Sequence, residues 1–191
     1  MSWLEETGKP AAKKVAEVFG GTPTVRRHAD EPEQNFIDTL RCDDRPDPGV
    51  VCYSTLGLHK YPNEIDDVDI RVELCGLAKM DVPDFADVVA TCVFCKIKDG
   101  WRCAPGIAYP DVIQMYRLST TMRHVVFVEP FLWEELSEVH LPHDTVVHWL
   151  MVLPISESEY AYRHEEGWDA LDELLLRKEV DFLDLNRAPV V

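Results

Sequence analysis

An α+β fold in a single domain is predicted by three features of this 191-residue sequence. Apolar runs of strand length alternate with stretches of helical periodicity along the whole chain. Residues 68–74 set apolar Val68, Ile70, Val72 and Leu74 against polar Asp69, Arg71 and Glu73, the period of a strand with one buried and one wet face. Residues 146–153 are almost continuously apolar, which suits a central strand covered on both faces. A one-faced strand belongs in an antiparallel or mixed sheet. No repeat, low-complexity tract or linker divides the chain, so one domain over residues 1–191, with a core at about 9–178, is expected.

The elements follow from local chemistry. Residues 9–19 carry a helical stripe of Val15, Val18 and Phe19 with Lys13, Lys14 and Glu17 solvated, and Gly20-Gly21 supplies the stop. Residues 43–49 (DDRPDPG) break either periodicity and form a loop. Residues 50–56 are a strand ended by Gly57. Asp81-Val82-Pro83-Asp84 opens a helix in which Phe85, Val88, Val89, Cys92 and Val93 recur at helical spacing, and Asp99-Gly100 closes it. Its β-branched content leaves a strand as the alternative. Residues 106–116 are expected to be extended, with an interruption at Pro110, and residues 124–130 form a short strand ending at proline. Pro154 is expected to end the 146–153 strand. Ser156-Glu157-Ser158-Glu159 matches the S-x-x-E capping box, so a helix begins at Glu157. Gly167 separates it from a second helix with a stripe of Ala170, Leu171, Leu174 and Leu175, and residues 180–191 are expected to fray or pack loosely.

Charge narrows the function. Nineteen Lys and Arg against 35 Asp and Glu give a net charge of −16. That balance argues against nucleic acid, whose phosphates demand surplus cations, and against anionic membranes. It favours solubility, repulsion between copies (a monomer or weak dimer) and a basic protein partner. No stretch approaches the roughly 18 apolar residues of a membrane span. The N-terminus lacks the basic and apolar regions of a secretory signal. The six cysteines then read as reduced thiols, and a cytoplasmic protein is expected.

No catalytic, cofactor or metal site emerges. Ser54 has Cys52 and Leu56 where a G-x-S-x-G elbow needs glycines. Cys92-Val93-Phe94-Cys95 lies inside a helix, without a second ligand pair, and packing is the simpler role. His164-Glu165-Glu166-Gly167-Trp168 fails the H-E-x-x-H pattern at Trp168. His140, His143 and His148 are separated by Pro142 and a strand start. The acids say more. From Glu129 onward, fifteen Asp and Glu face only Arg163, Arg177, Lys178 and Arg187. This is either a solvated helical face or an anionic surface that captures a basic protein. On the second reading Trp133, Glu134, Glu135, Glu165, Glu166, Trp168 and Asp169 are the candidate partner-binding residues, aromatic anchors among charges.

The stretch Val147-His148-Trp149-Leu150-Met151-Val152-Leu153-Pro154-Ile155-Ser156, running into Glu159-Tyr160 and a helix pair around Gly167, resembles the suppressor of fused family. Tyr53-Ser54-Thr55-Leu56-Gly57-Leu58, the Val72-Glu73-Leu74 strand and His124-Val125-Val126-Phe127-Val128-Glu129-Pro130 fit the same order. The resemblance implies a mixed, mainly antiparallel sheet flanked by helices, in a binding protein rather than an enzyme, with no cofactor. Ser54, Gly57, Trp149, Pro154 and Glu159 would be architectural. It also implies a bacterial single-domain member, because the chain stops where the family's second domain would begin. Such relatives are immunity proteins or antitoxins that neutralise a toxin by direct binding. The alternative is a regulatory scaffold or peptide-binding domain, which would use the 68–74 strand if it lies at a sheet edge. A third reading, an enzyme using Cys92, Cys95, Cys103 and the three histidines, has the least support.

Overall fold

The computed structural model describes residues 3–31 and 33–191, and side chains from Thr7 onward. In chain order the elements are α1 (Trp3–Phe19), β1 (Thr24–Ala29), β2 (Phe36–Asp43), β3 (Val50–Leu56), a 3-10 turn (Leu58–Lys60), β4 (Glu64–Ile65), β5 (Val68–Asp69), β6 (Arg71–Lys79) and α2 (Phe85–Asp99). There follow β7 (Ala108–Tyr109), α3 (Val112–Met115), β8 (Met122–Val128), a second 3-10 turn (Glu134–Leu136), β9 (Val139–Leu141), β10 (Thr145–Ser156), α4 (Glu157–Glu166) and α5 (Trp168–Arg177). The main sheet runs β1-β2-β3-β6-β10-β8-β7, with β9 also paired to β10, and β4 and β5 form a separate hairpin. Among the described residues, only the β6–β10 pair is parallel. The fold is therefore the expected mixed, mainly antiparallel α+β domain.

Two apolar clusters cover the two faces of the sheet. Leu150 and Val152 of β10 join the cluster under α2, whereas Val147, Trp149, Met151, Leu153 and Ile155 join the one under α1. Alternate residues of one strand thus enter opposite cores, as an unbroken apolar run requires. The 68–74 alternation has a different outcome. Val68 is 59% exposed on the β4–β5 hairpin, while Glu73 is fully buried. The reason is position: β6 lies between β3 and β10 with a core on each face, so Glu73 in its middle has no water to face. That central place also removes it as an edge for peptide addition; among the described strands of this sheet the edges are β1, β7 and the short β9.

Several boundaries move for similar reasons. β10 continues through Pro154 to Ser156. It leaves β6 after Met151, so the missing proline N–H interrupts no ladder on that side. α1 begins before Lys9 and passes through Pro10. Residues 106–116 form the short β7 and α3 rather than one extended run. β1 and β2, which sequence periodicity does not reveal, complete one edge.

The capping box at α4 is present. Ser156 Oγ accepts from the Glu159 N–H at 3.2 Å, and Glu159 Oε2 accepts from the Ser156 N–H at 2.9 Å. Glu159 is also what anchors the C-terminal tail, contrary to the expected fraying. Arg187 forks onto its carboxylate at 2.6 and 2.9 Å, and the Val190 N–H donates to it at 3.0 Å. Leu185 and Arg187 are buried, and the Ser119 hydroxyl donates to the Leu185 carbonyl. Among the described residues no helix is long and apolar enough to cross a membrane.

Candidate protein-binding surface

The acidic C-terminal region is shaped by one tight segment. After β8, the Phe131 N–H donates to the Glu129 carbonyl, Trp133 to Pro130 and Leu136 to Trp133. This winding turns Trp133 and Leu136 inward, and the Trp133 ring sits 4.6 Å from that of Phe19 on α1. Trp133, at 6% exposure, is therefore core rather than an exposed anchor. Its neighbours Phe131 and Leu132 take the outward positions at 53% and 45% exposure, with Glu134 and Glu135 beside them. Nothing in the Phe131-Leu132-Trp133 triplet marks which ring turns out; the carbonyl–amide pairing decides it.

Trp168 is half-buried at the start of α5. Its ring lies over Gly106, where a Cβ would stand 2.5 Å from Cγ, so only glycine admits this approach. Arg163 reinforces the junction by donating to the Gly106 carbonyl at 2.7 Å. Glu165, Glu166 and Asp169 surround Trp168 and are exposed. In this region Glu157 pairs with Arg123, Glu159 with Arg187 and Glu138 with His140. Among the described residues no Lys or Arg pairs with Glu134, Glu135, Glu165, Glu166 or Asp169. These five acids thus keep their charge without a Lys or Arg partner among the described residues.

Other polar groups are structural. Ser54 is fully buried, donates to the Thr55 carbonyl and accepts from Trp149 Nε1 at 2.9 Å. Thr7, His59 and Glu73 stand in the order of a hydroxyl, base and acid, with Thr7 Oγ1 2.9 Å from His59 Nε2 and His59 Nδ1 2.5 Å from Glu73 Oε1. All three have zero exposure, so no substrate reaches them and the line ties α1 to the sheet. Burial pushes the Cys92 thiol well up, Cys95 up and Cys103 to about 11, leaving little thiolate for catalysis or metal at neutral pH. His148 donates from Nδ1 to the Ser137 carbonyl at 2.7 Å, and His140 faces Glu138 at 2.9 Å. Among the described residues no group of three His, Cys, Asp or Glu could hold a metal ion. A pocket of about 300 Å³ opens where β10 passes from β9 to β8, walled by Ile70, Val72, Trp149 and Leu150 with His148 and Glu129.

His124 supplies a pH response. Its Nδ1 accepts from the Asp111 N–H at 2.8 Å, which fixes a neutral ring with Nε2–H toward Glu157 at 3.2 Å. Burial pushes its pKa below 6.5 despite Glu157 and Asp111, and burial likewise lowers His28. The unfolded chain therefore binds more protons, so this stability is complete above about pH 6.5 and is lost as pH falls through the folded-state values. Urea midpoints should decline from about pH 7 to about pH 5, and less steeply in His124→Gln. Equal slopes would rule His124 out as a source.

The family model described as suppressor of fused protein (SUFU) matches residues 33–188. The chain belongs to the suppressor of fused family. It is 38% identical over 190 residues to immunity protein YqcF of Bacillus subtilis (strain 168), covering 98% of this chain and 99% of that one. The suppressor of fused fold recurs in the homologue from Neisseria gonorrhoeae FA 1090, with a TM-score of 0.74 at 13% identity and 98% coverage of both chains. A Sufu–Fu complex matches at TM-score 0.67 and 14% identity, covering 97% of this chain and 93% of that one. Drosophila Suppressor of Fused gives the same score and identity, but the match covers only 51% of its chain.

Proposed function

We propose that this protein is a non-catalytic, cytoplasmic immunity protein that neutralises a basic toxin by direct binding. The observation that carries the reading is its 38% identity, across nearly the whole of both chains, to a protein named as an immunity protein. Physical chemistry supplies the mechanism. Unpaired acids at Glu134, Glu135, Glu165, Glu166 and Asp169 attract a cationic partner and raise its association rate, by roughly 10–1000-fold at low salt. Trp168 would offer its exposed part as contact, and Trp133 would support the surface from beneath. The same charge keeps copies apart, so the working form is a monomer or weak dimer.

Co-expression with the toxin encoded by the adjacent gene is the test. Restored growth and co-purification are expected, with an association rate that falls steeply as salt rises. Undiminished toxicity together with no co-purification would refute the proposal.

A further inference from the structure

An apolar groove lies between α5 and the turn that carries Phe131. Its floor is Val128, Leu153 and Leu175, all under 10% exposed. Its lips are Phe131 and Leu176, at 53% and 70% exposure, with the Phe131 ring 6.3 Å from that of Phe182. Leu176 falls outside the helix stripe that packs on the sheet, where Leu171 and Leu175 are the buried members. The enclosed volume is about 170 Å³, close to the roughly 150 Å³ that admits a benzene ring.

Charge identifies the occupant. Asp172 and Glu179 line the groove, and with Leu176 they are spaced four and three residues apart, on one side of α5 and its extension. Residues 169–181 carry Asp169, Asp172, Glu173, Glu179 and Asp181 against Arg177 and Lys178, so the rim stays negative. Partial burial and the nearby Asp169 push the Asp172 carboxyl up. A second copy would bring the same acids face to face, and an anionic lipid surface would be repelled. A basic protein segment meets both the apolar floor and the acidic rim.

We infer that this groove seats a toxin segment that inserts one large apolar side chain between flanking Lys or Arg residues. The inference rests on the toxin-binding reading above and adds the place and chemistry of contact. The apolar insertion sets the dissociation rate, and Asp172 and Glu179 act mainly on association.

The test uses the full chain and an inactive form of the toxin encoded by the adjacent gene. Leu176→Arg and Phe131→Arg should each weaken binding by about tenfold or more through faster dissociation. Asp172→Lys with Glu179→Lys should chiefly slow association. Met115→Arg, at a position 63% exposed on α3, is the matched control and should bind as the parent does. All are surface changes, and circular dichroism checks the fold. If Leu176→Arg and Phe131→Arg bind unchanged, the groove is overturned while the toxin reading stands. If the parent chain itself does not bind, the toxin reading fails, and the groove is decided by nuclear magnetic resonance titration with the peptide Lys-Lys-Leu-Lys-Lys. Shifts confined to Val128, Phe131, Leu153 and residues 172–182, absent with Lys-Lys-Asp-Lys-Lys and Glu-Glu-Leu-Glu-Glu, support it. No shifts there, or the same shifts with all three peptides, overturn it.

Discussion

Glu73→Ala is expected to unfold the protein or to remove about 5 kcal/mol of stability, the sum for three stranded donors at roughly 1–3 kcal/mol each with a small cavity added. The Glu73 carboxylate accepts from the Gly57 N–H at 2.6 Å, from the His59 ring at 2.5 Å and N–H at 3.3 Å, and from the Thr55 hydroxyl. All these groups lie where water does not reach, and His59 continues the line to Thr7 on α1. Alanine removes the acceptor of the Gly57 N–H and of both His59 donors at once, while the Thr55 hydroxyl keeps the Leu74 carbonyl at 3.3 Å. Against a typical total of roughly 5–15 kcal/mol, that is a large share. Glu73→Gln keeps one acceptor oxygen and should cost less, about 2 kcal/mol. Urea denaturation followed by circular dichroism measures both. An alanine variant whose midpoint matches the parent would show that the network adds nothing to stability.

Arg187→Ala is the second large effect, about 3–5 kcal/mol, because it strands a fully buried carboxylate. With a urea slope of about 1–3 kcal/mol/M, the midpoint should fall by roughly 1–5 M. Burial alone would push the Glu159 carboxyl up, but the Arg187 fork and the Ser156 and Val190 amides together hold it below the usual range. A depressed carboxylate contributes stability above its unfolded pKa and loses it as pH falls through the folded value. The parent therefore loses this pair in acid, and the penalty for Arg187→Ala should shrink from about pH 7 to about pH 4. A penalty that is the same at both values would mean the contribution is packing of the Arg187 stem rather than its charge. The tail joined here is the one whose sequence suggested loose ends: one arginine, nine-tenths buried, reverses that expectation.

Where sequence reasoning succeeded, the deciding chemistry was local. The α4 capping box depends on residues three apart, and Ser156 and Glu159 make both of its bonds. α2 ends at Gly100 because a left-handed residue closes a helix cheaply, and φ there is +69°. β3 spans the expected Val50–Leu56. The candidate surface was legible only in its charge. The acids after Glu129 are visible in any count of residues, but Phe131 and Leu176 are not distinguishable from core hydrophobes by type or spacing, and Trp133 belongs inside.

Sequence alone thus settled the class of the fold, the family and the sign of the surface, since periodicity, motif order and charge are properties of the chain itself. Tertiary structure decided which face each residue meets. Glu73 alternates like a wetted residue and is buried, because long-range pairing set β6 between β3 and β10. Leu176 is one residue from a buried leucine and stands in water, because α5 rests on the sheet through Leu171 and Leu175. Burial depends on what packs opposite, and that partner lies far away in sequence for Glu73 and Arg187 alike.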